Sequence, residues 1–194
     1  MKRCLMTMCF AALTVSAALA QGKNNVPPPP KPADDGPNLE VTMKFIQDKL
    51  NSIGPVNYAV YFHDDTKANS AAGQFRNENT KVVADPSTCR IDYHRKVEQL
   101  GKVEEDQEQR ILLKDVEDIV LMPWEQVQKE TDTAAGHPSF ITTVDPPVFV
   151  LKVRRTLKEG NYFDFFDEQL ANRVAKAMVH AVELCGGGSK QEPF

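Results

Sequence analysis

Residues 161–188 read NYFDFFDEQLANRVAKAMVHAVELCGGG. A short aromatic run passes directly into a long helical pattern. Asp167 stands where an N-cap belongs, because a side-chain oxygen there accepts the unpaired N–H groups of the first turn. Leu170, Val174, Met178 and Val182 then recur every four residues, with Ala177 and Ala181 beside them. That spacing makes one apolar stripe about four turns long. Asn172, Lys176 and Glu183 lie off it, and Gly186-Gly187-Gly188 stops the helix. A helix with a single apolar face covers something, so the elements before it decide what the fold is.

Those elements are short strands. VNYAVYFH, residues 56–63, alternates Val56, Tyr58, Val60 and Phe62 against Asn57, Ala59, Tyr61 and His63, the period of a half-buried strand. A weaker strand lies within QFRNENTKVVAD, and Asp85-Pro86-Ser87 marks a turn. CRIDYHRKVE places Cys89, Ile91 and Tyr93 on one side and Arg90, Asp92 and His94 on the other. RILL and DIVLM are two more strands around a corner at Lys114-Asp115-Val116. The polar stretch from Lys129 to Pro138 reads as a loop. VFVLKVRRT follows Pro146-Pro147, and Gly160-Asn161 turns the chain into YFDFF. No helix-length pattern separates these seven strands, which predicts an antiparallel sheet and not alternating β-α units.

One helix precedes the strands. Asn38 caps NLEVTMKFIQDKLNSIG, and Leu39, Met43, Ile46, Leu50 and Ile53 share a face. Gly54 and Pro55 end it as a C′ glycine and a following proline do. Before it, residues 21–37, QGKNNVPPPPKPADDGP, form a Pro-rich tether whose consecutive prolines hold the backbone extended and whose flanks are too polar for a core. Residues 1–20 carry Lys2 and Arg3, an apolar run and an Ala18-Leu19-Ala20 ending, the pattern of a cleavable signal peptide. The expectation is an exported protein, periplasmic or extracellular, with a domain over 38–185, a disordered tail at 186–194 and no integral membrane segment after cleavage. A spanning helix needs about 20 apolar residues, and no later stretch offers them.

The order of seven antiparallel strands followed at once by one amphipathic helix resembles the pleckstrin-homology-like barrel, over about residues 55–185. LLKDVEDIVLM, as two strands around a tight corner, and YFDFFDEQLANRVAKAMVHAV, as last strand into closing helix, carry the resemblance. The chain is also similar to a family of uncharacterised exported bacterial proteins. The resemblance implies an α+β fold, a seven-stranded, strongly bent antiparallel sheet or barrel capped by the C-terminal helix, with one extra helix at the N-terminus. It also implies a class of phosphoinositide, phosphotyrosine-peptide and proline-rich-peptide binders. The phosphoinositide reading lacks its basic cluster, since HDDTKANSAAGQFR between the first strands holds two acids and two scattered bases.

Composition excludes more than it assigns. Twenty-seven acidic residues against 23 basic ones give a formal charge of −4. Loss of Lys2 and Arg3 with the signal makes the mature chain more acidic still. Nothing resembles a basic arm for nucleic acid. Of four cysteines, Cys89 and Cys185 lie beyond the signal, and two thiols in an oxidising compartment pair naturally as a disulfide. His180 and Glu183 are three apart on the last helix, but zinc takes three or four ligands and no paired motif supplies the rest. His63, Asp64 and Asp65 are candidates for a divalent cation, although Asp at a strand end also serves a turn. No G-x-S-x-G elbow or phosphate loop occurs, and no cofactor or catalytic residue is assigned. VEEDQE, residues 103–108, reads as a solvated charged loop. Trp124 is an interface anchor if exposed and a core residue if covered, and its apolar area favours cover. The expected function is a non-enzymatic module with a protein or peptide partner. The alternatives are a small hydrolase built on His63, Asp64 and Asp65, or a carrier of a small ligand or lipid.

Overall fold

The computed structural model describes residues 36–64, 67–134, 141–155 and 158–188. The expected signal peptide, nearly all of the Pro-rich tether, Asp65 and residues 189–194 of the tail lie outside them. Three helices and eight strands follow in the order α1 (Leu39–Ser52), β1 (Val56–Asp64), β2 (Lys67–Asp85), β3 (Arg90–Gln99), β4 (Lys102–Leu112), β5 (Val116–Pro123), α2 (Trp124–Ala134), β6 (Ile141–Asp145), β7 (Phe149–Arg155), β8 (Lys158–Phe165) and α3 (Glu168–Leu184). No described helix is long and apolar enough to cross a membrane.

The strands form two antiparallel sheets and not one seven-stranded barrel. The larger has the order β4-β3-β2-β1-β6, the smaller β5-β7-β8. The division occurs at a single 3-10 turn, Leu113–Asp115, that carries the chain out of β4 and into the other sheet. Four further readings need correction. The run VEEDQE is not a loop but part of β4, paired with β3 on either side of a register shift at Glu104. Leu100 and Gly101, both at positive φ, make the tight hairpin that joins them. Residues 129–134 continue a helix, α2, instead of forming a loop. That helix buries no residue fully, and only Trp124 and Val127 pack on the core, so its apolar stripe is too short to show a period. Strand β6 went unread because its two apolar residues, Ile141 and Val144, stand three apart and show no alternation of period two. Gly160 and Asn161 lie inside β8, not in a turn.

Both long helices form as their caps and stripes dictate. Asn38 accepts a bond from the Val41 N–H, and Asp167 from Gln169 and Leu170. α1 ends at Ile53 in extended backbone, and Gly54 takes no left-handed φ, so no C′ glycine motif closes it. The face of α1 carrying Met43, Ile46 and Leu50 meets the face of α3 carrying Ala171, Val174, Met178, Ala181 and Val182 in one apolar cluster. Leu170 is only half-buried, and Ala171 takes the inward place at that turn. Side-chain amides fix α1 on β2. Lys81 adopts φ 53° where the β2–β3 register slips, and Asn51 then bonds both the N–H and the carbonyl of Val82 at 2.9 and 2.8 Å. Gln47 accepts from Ala84. The helix thus satisfies backbone groups of β2 at the bulge and just beyond it.

α3 does not plug a closed barrel. It packs on α1, on all three strands of the smaller sheet and on the 3-10 turn. Its C-terminus is held from several directions. Cys185 Sγ lies 2.03 Å from Cys89 Sγ, with Cα atoms 5.8 Å apart. The Leu113 N–H donates to the Cys89 carbonyl, and the Gly188 N–H donates to Val116. Gly187 fits there because it has no side chain: a Cβ would stand 2.2 Å from the Leu113 carbonyl oxygen.

Candidate binding cleft

The larger sheet has an inward face that changes character along its strands. Paired residues across an antiparallel ladder share a face. Ile91 faces Ile111, Tyr93 faces Gln109, Arg95 faces Gln107 and Val97 faces Glu105. The first pair is buried in the apolar cluster with the smaller sheet and α3. Beyond Tyr93 the inward side chains are polar apart from Val97. There they line, with Asn161 and Tyr162 of β8, a cleft of about 570 Å³.

Arg95 is the centre of that cleft. Its side chain is 11% exposed. Nε donates to Glu105 Oε2 at 3.2 Å and Nη1 donates to the Tyr162 carbonyl at 2.7 Å. Tyr162 belongs to β8, which ends its sheet, so the bond ties one sheet to the edge of the other. Gln107 and Gln109 both donate to Glu105 Oε1 at 3.0 Å, which holds that carboxylate against the guanidinium. Arg95 Nη2 makes no hydrogen bond among the described residues.

A second carboxylate lies beneath. Asp164 is 4% exposed, accepts from Asn77 Nδ2 at 2.8 Å and stands 3.8 Å from Arg95 Nη1. Burial drives its carboxyl above the usual range, with Arg95 and Asn77 pulling the other way. Asn77 also donates to the Tyr58 hydroxyl, itself raised above the ordinary tyrosine range by burial and by Asp164. Asn161, 4% exposed, donates to the Tyr93 hydroxyl at 2.7 Å, and burial pushes that hydroxyl up to about 12. Asn161 Oδ1 is buried and has no hydrogen-bond partner among the described residues. These groups form a rigid polar array able to bind and orient a ligand. Neither tyrosine is a ready base near neutral pH.

The residues singled out from the sequence fall elsewhere. Cys89 and Cys185 meet at the far corner, as described. Trp124 opens α2, is partly buried, and sits 5.9 Å from the Tyr58 ring and 6.2 Å from the Phe75 ring, within a small aromatic group. His63 and Asp64 end β1 opposite Ile141 and Lys67, at the β1–β2 hairpin. No set of three or more metal-ligating side chains occurs among the described residues. His180 Nε2 bonds the Pro37 carbonyl at 2.8 Å, while Nδ1 is 4.0 Å from Glu183, so it ties α3 to the entry of α1. His94 pairs with Asp106 at 2.9 Å on the outer face.

Sequence reading missed Arg95, Gln107, Gln109, Asn161 and Asp164, and treated Glu105 as part of a loop. A signal was present. Carrying the alternation of Ile91 and Tyr93 two residues further puts Arg95 on the inward face, where an unpaired charge is costly. Asp164, enclosed by Phe163 and Phe165, is the same kind of anomaly.

Comparison with family models, with curated proteins and with solved structures returns no match.

Proposed function

We propose that this protein is an exported, non-enzymatic binding module that takes a polar peptide segment of a partner protein into the cleft between β3–β4 and β8. The observation that carries the reading is the Arg95 guanidinium, almost buried yet with one nitrogen unspent, fixed by Glu105 and the Tyr162 carbonyl in a cavity of about 570 Å³. A preorganised donor of this kind gives affinity without the entropic cost of ordering a long side chain on binding. The strands on either side, β4 and β8, each end their sheet, which suits an extended ligand. The lining suits polar groups better than an acyl chain. Export to the periplasm or the medium is supported by the Cys89–Cys185 pair and by the signal pattern. Kinship with the pleckstrin-homology-like superfold rests on the order of antiparallel strands closed by a terminal helix.

Selection of displayed random peptides on the oxidised protein tests this reading. Enriched peptides are expected to compete with one another and to lose binding in Arg95→Gln. No enrichment, or enriched peptides indifferent to Arg95 and Gln107 variants, overturns it.

A further inference from the structure

Away from the cleft, α1 and α3 leave an apolar groove on the outside of their packed pair. His180 of α3 meets Pro37 just ahead of α1, and Arg173, two turns earlier, stands over Phe45 in the middle of α1, so the helices run antiparallel. Their buried stripes meet below. Above that seam Val41, Phe45 and Ala177 line a depression of about 390 Å³, bordered by Lys176 and, at one end, by Pro37 and His180. Val41 is 56% exposed, and Leu184, one turn beyond His180 on the same stripe of α3, is 39% exposed. Single exposed apolar residues are ordinary, but here they adjoin one another along a groove. Three cations surround its Phe45 end. The Arg173 guanidinium lies 5.5 Å and the Lys49 ammonium 5.9 Å from the Phe45 ring centre, and Lys176 borders the groove itself. None of the three makes an ion pair among the described residues. Of the acids on the two helices, Asp48 is paired with Lys44 at 2.8 Å, and Glu168 falls on another face of α3. Glu40, in the first turn of α1, and Glu183, 4.0 Å from His180, stand towards the other end.

We propose that this groove is a second docking surface, independent of the cleft, and that its occupant is an amphipathic helix of a partner protein with acidic residues beside its apolar ridge. Shape selects a helix. The backbone groups of α1 and α3 are spent within the helices, so the groove offers no ladder to an extended strand. A groove between two packed helices takes the side-chain ridge of a third, as helix-in-groove recognition does. Two copies of this chain meeting groove to groove would bring no ridge to fill either one, and a flat bilayer surface would leave the depression empty. Charge selects the acidic flank. Lys49 on one helix and Arg173 and Lys176 on the other stand on both sides of Phe45, so carboxylates on either side of the incoming ridge meet cations. A basic helix would meet the same three charges as repulsion. The apolar ridge supplies the affinity, and the cations set which helix is admitted and how fast it docks.

The test is an NMR titration of the oxidised, isotope-labelled protein with three blocked peptides of about 15 residues, four turns of helix. Two carry leucines at helical spacing on an alanine background, with either glutamate or lysine on the flanks. The third is the glutamate peptide with its leucines changed to serine. The glutamate peptide is expected to shift the Val41 and Ala177 methyl signals and to bind at least about tenfold more tightly than the lysine peptide at low ionic strength. That margin should shrink at about 1 M salt, where screening acts within about 3 Å. The serine peptide should not bind. Arg173 is exposed, so Arg173→Glu keeps the fold and should cut the preference for glutamate. The glutamate–lysine comparison is made on the unaltered protein and stands whatever the variant does. Equal affinity for the two leucine peptides, or serine and leucine peptides binding alike, overturns the proposal. So does the absence of any shift at Val41 and Ala177, and shifts confined to the Arg95 cleft leave only the cleft reading in place. Groove signals that respond to anionic phosphatidylglycerol vesicles and not to the peptides make the occupant a membrane surface and overturn it. Groove signals that shift with protein concentration, as the mass in sedimentation doubles, make it a second copy and overturn it as well.

Discussion

Asp164 shows how one side chain couples the site to stability. Its carboxyl is buried, and its pKa in the folded chain is raised above the ordinary value. A raised carboxyl favours folding fully below the unfolded pKa and loses that contribution as pH climbs through the folded one. Denaturant melts of the wild-type protein and Asp164→Asn, run at acidic and mildly basic pH, should therefore diverge. The variant keeps the Asn77 bond through its amide oxygen and gains on the wild type as pH rises; parallel curves would mean that Arg95 fully neutralises the buried charge. Gly187 offers a steric counterpart. A methyl group there would meet the Leu113 carbonyl oxygen at 2.2 Å, while one at Gly54 would meet nothing within 4 Å. Gly187→Ala should cost about 1–3 kcal/mol as overpacking does, and Gly54→Ala should be neutral or stabilise by up to about 1 kcal/mol. Thermal melts of the two variants would settle the contrast, and equal losses would contradict the packing described.

At the level of elements, α3 is held by its apolar face and not by its polar residues. Met178 is fully buried between α1 and the smaller sheet. Met178→Ala should cost about 2–5 kcal/mol, the usual result of a core truncation. Leu170 is half-buried, so Leu170→Ala should cost clearly less. His180 is 26% exposed and its bond to the Pro37 carbonyl is worth about 1 kcal/mol at most. Urea midpoints of the three variants should fall in that order. A larger loss for His180→Ala than for Met178→Ala would mean that the α1 entry, and not the apolar seam, holds the helix.

For the molecule as a whole, the bond between Cys89 and Cys185 closes a loop with a sequence separation of 96 and ties the last helix to the turn before β3. Restricting so long a loop in the unfolded chain is worth about 4–5 kcal/mol in the chain-entropy description. Paired substitution to serine should therefore lower the unfolding free energy by roughly that amount. Two titratable thiols in the unreduced protein, or a double variant as stable as the wild type, would contradict it. Because the bond lies at the corner where α3 meets the 3-10 turn, and not in the cleft, the double variant should still bind any ligand of Arg95 wherever it remains folded.

Local signals were legible without the fold. The caps at Asn38 and Asp167, the stripe of α3 from Val174 to Val182 and the alternation of β1 from Val56 to Val60 and of β3 from Ile91 to Tyr93 depend only on near neighbours in the chain, and each is present in the structure. So is the antiparallel character of the strands, because short connections leave no room for crossovers. The partition into two sheets, the helix α2 and the cleft were decided by tertiary structure alone. A single 3-10 turn redirects β4 into β5, and nothing in Leu113-Lys114-Asp115 distinguishes a corner within one sheet from a passage between two. Trp124 and Val127 are too few to announce a helix until β1 and β7 supply something to pack on. Arg95, Glu105 and Gln107 read as solvent-facing because polarity is the ordinary mark of exposure. They line an interior only where their strands run on past the apolar pairs, opposite the edge of β8, and that overlap depends on how two sheets distant in sequence are stacked.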